Sequence, residues 1–439
     1  MATLKFDLAK KAAPIRPMSC VNNGPVYKRH ASDQNTGGTF LPYKAARIPY
    51  ARNHDASFCS VYGGEHTVDI SAIFPNFDAD VNDPSSYHFA CTDEYTLVTL
   101  EAGTKTFYRL GQKIEHTIEK FHIFPPKDFQ KWAEICEHII RHYTEGWANG
   151  YHLDMPYWEI WAEPDLDINS ENKRLWAGTT EQFYDLYEIT AKHLKKCFPH
   201  LKIGGPAVAH DVEWSRAFLA HQKSVSTPID FFSFHCYGKT IEKAMDRTKA
   251  MRAAMEETGY ADAECILNEY NYVEGWSGAD FYRTKKMIAG IKGAAFTMAM
   301  MIAFQKSDIL DMLMYYDARP ANCYNGLFDL FMDVQKGYYP FKFYGNLYDC
   351  AYESRAEKDP ENIYSLCGVK ENGKAVAIVT YYAFEEEGKR AKTVKLDFGR
   401  EGKYNIYALD QKHDGELIAT TSDLTLKLPL FGTYLVEEI

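Results

Sequence analysis

The sequence predicts a (β/α)8 TIM-type barrel followed by an antiparallel β-sandwich, and three observations point there. From about residue 40 to 340, short apolar runs alternate with amphipathic helical stretches, the pattern of repeated βα units. After about Leu347 the pattern changes to alternating segments such as KAVAIVTYY, AKTVKLDFG and LTLKLPLF, separated by Gly, Asp and Asn, which read as antiparallel strands. The length, 439 residues of which 46% are hydrophobic, exceeds one compact unit of ordinary size and suits a large barrel plus a smaller domain. The barrel is accordingly expected at 15–346 and the sandwich at 347–439, with the alternating TLKFDL inside 1–14 lending the second domain a strand.

The eight strands are expected near Ser19–Tyr27, Ala46–Arg52, Lys105–Leu110, Tyr157–Trp161, Lys202–Gly205, Asp230–His235, Glu264–Asn268 and Asp311–Tyr316. The helices between them carry clearer punctuation. Asp128 can cap a helix in which Phe129, Trp132, Cys136, Ile139, Ile140 and Tyr143 recur at three- and four-residue steps. Thr179 and Gln182 have capping-box spacing ahead of the apolar face Phe183, Leu186, Tyr187, Leu194, Cys197, and Pro199 closes that helix. The longest apolar stretch, Met287 to Phe304, is interrupted by Lys292 and two glycines and reads as a helix buried beside the barrel.

Charge and composition exclude several classes. The net charge is −11, from 49 Lys+Arg against 60 Asp+Glu, with no basic run, so no nucleic-acid or anionic-membrane partner is expected. The opening MATLKFDLAKKAAP lacks the apolar core and cleavage site of a secretory signal. Ten cysteines are scattered singly with no metal-ligand spacing and read as small buried hydrophobes of a reducing, cytoplasmic compartment. Aromatics are abundant, with 31 Tyr and 26 Phe; they fill a large core, and rings with hydroxyls also suit sugar faces.

Two segments carry the chemistry. Tyr157-Trp-Glu-Ile-Trp-Ala-Glu-Pro-Asp165 is an aromatic strand that ends in a carboxylate followed at once by proline. In such barrels the C-terminal strand ends carry the active site, which would place Glu163 at the pocket mouth, walled by Trp158 or Trp161. Lower polarity there disfavours the charged carboxylate, the direction a general acid requires. Glu264-Cys-Ile-Leu-Asn-Glu-Tyr-Asn271, three strands later, ends the same way in Glu269. Two facing carboxylates are the minimum equipment for cleaving a glycoside, and roughly 5–5.5 Å between them would mean the retaining, two-step route.

The WEIWxEPD segment, followed about a hundred residues later by the NEYN strand end, resembles clan A glycoside hydrolases, and within the clan family 39, of β-xylosidases and α-L-iduronidase. Further segments carry the likeness: Arg52-Asn-His54, Ile203-Gly-Gly-Pro206, Asp230-Phe-Phe-Ser-Phe-His-Cys-Tyr237, Asn325-Gly-Leu-Phe328 and Gly337-Tyr-Tyr-Pro340. The resemblance implies Glu163 as acid/base and Glu269 as nucleophile, with Tyr237 bonded to Glu269, His235 in the same sugar subsite, and Arg52 and His54 beside the nucleophile. Two departures stand out. Clan members carry Asn before the acid/base, where its amide binds the sugar 2-hydroxyl; here Ala162 stands there. The eighth strand has Met314-Tyr-Tyr-Asp317 where many members place Trp, so Tyr315 or Tyr316 would floor the subsite, with Arg319 and Asn322 on the loop beyond. Arg109 and Arg319 suit either an anionic sugar or plain salt bridges to barrel carboxylates.

The expected function is a retaining exo-glycosidase acting on short oligosaccharides or glycosides, β-xylosidase-like, needing neither metal nor organic cofactor. An α-L-arabinosidase or another glycosidase with altered 2-position recognition is the alternative. From a different class, a catalytically weak carbohydrate-binding or sensing protein would keep the scaffold. The resemblance is also compatible with a homo-oligomer.

Overall fold

The computed structural model describes residues 2–28, 37–54, 67–320 and 323–439. Eight strands close a barrel in chain order: β1 (Cys20–Asn22), β2 (Tyr50–Arg52), β3 (Lys105–Leu110), β4 (Tyr157–Ile160), β5 (Lys202–Val208), β6 (Phe231–Gly238), β7 (Glu264–Tyr272) and β8 (Met312–Tyr315). Every neighbouring pair is parallel, and β8 returns to β1 through Met314 opposite Cys20. Covered on both faces, these strands are built mostly of buried apolar residues.

The barrel interior is layered by the period-two alternation of its strands. At the N-terminal end Cys20, Phe107, Tyr157, Phe231, Ile266, Met312 and Met314 form a separate apolar cluster. Its rings are in contact: Phe107 and Tyr157 stack at 5.1 Å, and Phe231 meets them at 5.2 and 5.6 Å. Two residues further along the same strands the layer turns polar, with Asn22, Arg52, Glu159 and Ser233 all buried. That change, from a plugged base to a polar floor, fixes which end of the barrel can hold chemistry.

The helix signals act where the sequence puts them. The Asp128 side chain accepts from Lys131 N at 3.0 Å and starts Phe129–Thr144. Thr179 and Gln182 form a reciprocal capping box at the head of Thr180–Cys197. The apolar stretch expected from Met287 is split near Gly290: Met287 and Ile288 close the helix Gly278–Ile288, and a second helix runs from Ile291 to Lys306 with nearly every residue buried. No single helix among the described residues is long and apolar enough to cross a membrane; this one and Gly278–Ile288 reach that length and composition only together, as a pair bent by 75°.

Beyond the barrel, a six-stranded antiparallel sheet runs Cys350–Ser354, Ile363–Lys370, Ala375–Tyr381, Thr433–Glu438, Tyr404–Leu409, Asp414–Thr421 in spatial order. A second sheet has three strands, Ala2–Lys5, Lys392–Asp397 and Thr425–Leu428. Leu4, Cys367, Ala377, Leu396, Leu428 and Val436, drawn from both sheets, share one core, as two faces of a sandwich must. The pairing of Ala2–Lys5 with Lys392–Asp397 is parallel, the exception to an otherwise antiparallel domain. The nine cysteines among the described residues are free thiols.

Candidate active site

Above the polar floor, the C-terminal parts of β2, β4, β6 and β7 bring together six of the residues singled out in the sequence, Arg52, His54, Glu163, His235, Tyr237 and Glu269. Glu159 anchors the floor. One of its oxygens accepts from Arg52 Nε at 2.6 Å, the other from Ser233 Oγ at 2.7 Å and Asn268 Nδ2 at 2.6 Å. Arg52, thus gripped from below, donates through Nη1 to Glu269 Oε1 at 2.7 Å and to Asn22 Oδ1 at 3.0 Å. Burial alone would pull the guanidinium pKa down, but the two carboxylates outweigh it and hold Arg52 above its ordinary range.

Glu269 sits inside β7 rather than at its end, because the strand continues to Tyr272. The register of β7 against β6 shifts between Leu267 and Glu269, a bulge. The bulge lets consecutive residues both serve the interior, Asn268 on Glu159 and Glu269 on Arg52. The second oxygen of Glu269 accepts from Tyr237 Oη at 2.5 Å, while His54 Nε2 lies 3.8 Å from the first. Burial and the neighbouring Glu163 raise the Glu269 pKa; His235, Arg52 and the Tyr237 hydrogen bond oppose them.

Glu163 is held in another way. Strand β4 ends at Ile160, one residue short of the expected Trp161, because Trp161 (φ 69°) and Glu163 (φ 47°) both adopt left-handed backbone. Non-glycine residues there are strained by about 1–3 kcal/mol each and tend to cluster at functional sites. The turn is pinned by Glu163 N donating to Ala207 O at 2.9 Å, and by Asp165, buried, accepting from the backbone N–H groups of Ala209, His210 and Asp211. Gly205, at φ 128°, lets β5 approach β4 there: an added Cβ would lie 2.8 Å from Ile160 O. Among the described residues, the Glu163 carboxylate has one side-chain hydrogen-bond partner, His235 Nδ1 at 2.7 Å. Burial first, then the charge of Asp165, pushes its pKa up to about 8. Burial lowers the pKa of His235, which favours a neutral ring whose Nδ1–H donates to Glu163 and lies 3.4 Å from Glu269 Oε2. Carboxylate oxygens of Glu163 and Glu269 and a His235 nitrogen all fall within 4.8 Å of one another.

These three could in principle hold a cation, but Arg52 stands 2.7 Å from Glu269 and would repel one. Two further groups, Glu137–His193–Cys197 and Asp185–Glu188–His221, lie on the helices, with Glu137 and Glu188 already bonded to Arg141 and Lys192.

The other expected contacts divide. Tyr316, just past β8, meets the Tyr237 ring at 6.2 Å and stands beside the site; Tyr315 instead packs on Tyr270 and Phe341. Trp161 does not line the pocket: it is 1% exposed, packs on Trp132 and Trp176, and donates to Leu175 O. Its left-handed backbone takes the ring off the inward face that alternation with Glu159 would give it. Trp158 likewise packs on Tyr108 away from the carboxylates. Arg319 lies 3.6 Å from Asp317, and Arg109 is buried on Asp69 and the His54 carbonyl, so both arginines have salt-bridge partners. Asn322 lies outside the described residues. Sequence reasoning missed Glu159, whose signal was its even spacing from Tyr157 on β4, and Trp276, an exposed ring 5.2 Å from Tyr237.

Comparison with known proteins fits this geometry. The family model for glycosyl hydrolases family 39 matches residues 44–296. Beta-xylosidases of Caldicellulosiruptor saccharolyticus and Geobacillus stearothermophilus are 30% and 29% identical over 197 and 174 residues, covering 41% and 35% of this chain. The matched segments span only 38% and 33% of those relatives' own length. In fold, the crystal structure of a glucosidase from Croceicoccus marinus is similar at a TM-score of 0.81 and 22% identity, covering 100% of this chain and 99% of that one. With the family match running over more than half of its length, from before β2 to beyond β7, the chain belongs to glycosyl hydrolases family 39.

Proposed function

We propose that the protein is a retaining glycoside hydrolase in which Glu269 is the nucleophile and Glu163 the acid/base. The carrying observation is the approach of the two carboxylates, with oxygens within 4.8 Å of each other, too close for the intervening water of an inverting enzyme. Their settings divide the work. Arg52 and Tyr237 bond both oxygens of Glu269, favouring its anion, while Glu163, pushed up to about 8, keeps its proton at neutral pH. In the first step Glu269 attacks the anomeric carbon as the glycosidic C–O bond breaks, and the Glu163 proton passes to the leaving oxygen. In the second, Glu163 takes a proton from water, whose oxygen displaces Glu269 from the sugar.

The beta-xylosidase relatives support a xyloside as the leading substrate, cleaved from one end of a short chain or from a simple glycoside. The free, mostly buried thiols support a reducing, cytoplasmic setting. A second reading concerns the sugar alone. Ala162 is fully buried and has no side-chain amide to make the 2-hydroxyl contact of clan relatives, and Asn268 directs its amide to Glu159 on the floor. This favours a sugar recognised differently at C2, such as an arabinoside.

A panel of aryl pentosides, hexosides and uronides, with the first-formed anomer followed by NMR, tests the proposal. Cleavage with retention, abolished in Glu269→Gln, is expected; an inverted first product, or no cleavage of any glycoside, would overturn it.

A further inference from the structure

Trp276 differs from the other exposed aromatic side chains in what it touches. It lies on the loop between β7 and the helix Gly278–Ile288 and is 59% exposed, yet its ring meets Tyr237 edge-on at 5.2 Å. Tyr237 is the residue whose hydroxyl holds Glu269. Trp276 also meets Tyr324 at 5.9 Å, Tyr324 meets Tyr316 at 6.0 Å, and Tyr316 meets Tyr237 at 6.2 Å. Four rings thus close a collar beside the nucleophile, at separations where tilted and edge-to-face pairs attract.

The loop that carries Trp276 is tied down on both sides. Val273 N donates to Gly238 O at 2.9 Å, and Glu274 N to Thr284 Oγ1 at 2.9 Å. The Glu274 carboxylate accepts from Tyr272 Oη at 2.6 Å and Arg283 Nε at 3.1 Å. Across the collar, Asn271 Nδ2 donates to the carbonyls of Tyr316 and Tyr324 at 2.5 and 2.7 Å. A lone exposed apolar residue needs no explanation, but an indole held by an anchored loop, continuous with the rings of a site, marks a surface kept for a ligand.

The surroundings of the carboxylates say which part of a substrate would cover it. Arg52 and His54, from β2 and its end, flank one oxygen of Glu269; Tyr237 and His235, both on β6, flank the other. His235 also binds Glu163, whose proton goes to the leaving oxygen. The group beyond that oxygen therefore emerges on the β6 side, where Trp276 stands on Tyr237. We infer that Trp276 is the stacking platform of a leaving-group subsite, taking the apolar face of a sugar ring; the inference rests on the glycosidase reading above.

The test follows the panel that identifies the glycone. For a xylosidase the pair is methyl β-xyloside and xylobiose, which share the glycone and differ in what leaves. Trp276→Ala should lower kcat/KM for xylobiose at least tenfold more than for methyl xyloside, mainly through KM, and Trp276→Phe should recover most of the difference. Equal losses on both substrates, or no loss on xylobiose, overturn the platform and leave the glycosidase reading intact. If the panel finds no cleavage, that reading has failed by its own measurement. The platform is then judged by indole fluorescence: saturable quenching by xylobiose that disappears in Trp276→Phe upholds it, and its absence overturns it.

Discussion

Strands β4 and β7 each bring one glutamate to the same end of the barrel, yet they hold it by opposite means. At β7 the carboxylate stays within the strand, at a bulge, and its oxygens are bonded by Arg52 and Tyr237. At β4 the strand has already stopped, the glutamate sits on a left-handed turn, and its side-chain oxygens meet one imidazole. The first arrangement satisfies a charge; the second leaves a carboxyl short of donors in a buried setting, where the neutral acid is favoured. Identical side chains thus acquire different chemistry from backbone geometry and the number of N–H and O–H groups aimed at them.

The largest effect that would break this comparison is removal of the nucleophile. Glu269→Ala should lower kcat at least about 10⁴-fold on every substrate, because no neighbouring group can form the covalent intermediate; a loss below tenfold would show that attack comes from elsewhere. Glu163→Ala should cost roughly 10²–10⁴-fold on glycosides of poor leaving groups but far less on dinitrophenyl glycosides, whose departure needs no proton. A loss independent of the leaving group would contradict its role as acid.

The pH profile sharpens the same contrast. In the free enzyme kcat/KM should rise as Glu269 ionises, above the ordinary carboxylate range, and fall near pH 8 as Glu163, pushed up to about 8, loses the proton it must donate. An alkaline limb that persists in Glu163→Gln would assign that limb to another group. Tyr237→Phe removes one donor from the Glu269 anion, so the acidic limb should move to higher pH and activity fall about 10–100-fold, the scale of a charge-assisted hydrogen bond of about 1.5–3 kcal/mol.

The smallest expected change comes from the floor. Glu159→Gln keeps one acceptor oxygen but sets an amide N–H against a donor, either Arg52 Nε or the Ser233 and Asn268 pair, which should destabilise the fold by about 1–3 kcal/mol in urea titration. With that negative charge gone, Glu269 is the one carboxylate left bonded to Arg52, and the acidic limb should move to lower pH. A limb that stays in place would mean that Glu159 supports the fold without tuning the nucleophile.

Much of this site could be read from residues alone, and the rest fails for identifiable physical reasons. Glu163 and Glu269 were legible because apolar strands ending in carboxylates stand out against βα periodicity, and His235 and Tyr237 because alternation along β6 puts both on one face. Alternation misleads on β4, where it assigns Glu159 and Trp161 to the same face; the positive φ at Trp161 turns the indole into the helix layer. The bulge in β7 likewise breaks the period and sends both Asn268 and Glu269 inward, which no period-two reading anticipates. Trp276 escaped because loop residues have no period at all; its only sequence mark was a tryptophan set between Gly275 and Gly278.

The parallel pairing of Ala2–Lys5 with Lys392–Asp397 has a consequence for how the molecule is assembled. A contact between segments so distant in sequence must wait until all of the barrel between them has been made, and long-range strand pairing is slow in any case. The barrel, built from consecutive βα units, can close first, and the small sheet then acts as a clasp that fastens Ala2–Lys5 into the sandwich. Leu4, fully buried in the shared core, is the tooth of that clasp, so fusions or protease cuts ahead of β1 should perturb the distant sandwich before they touch the barrel.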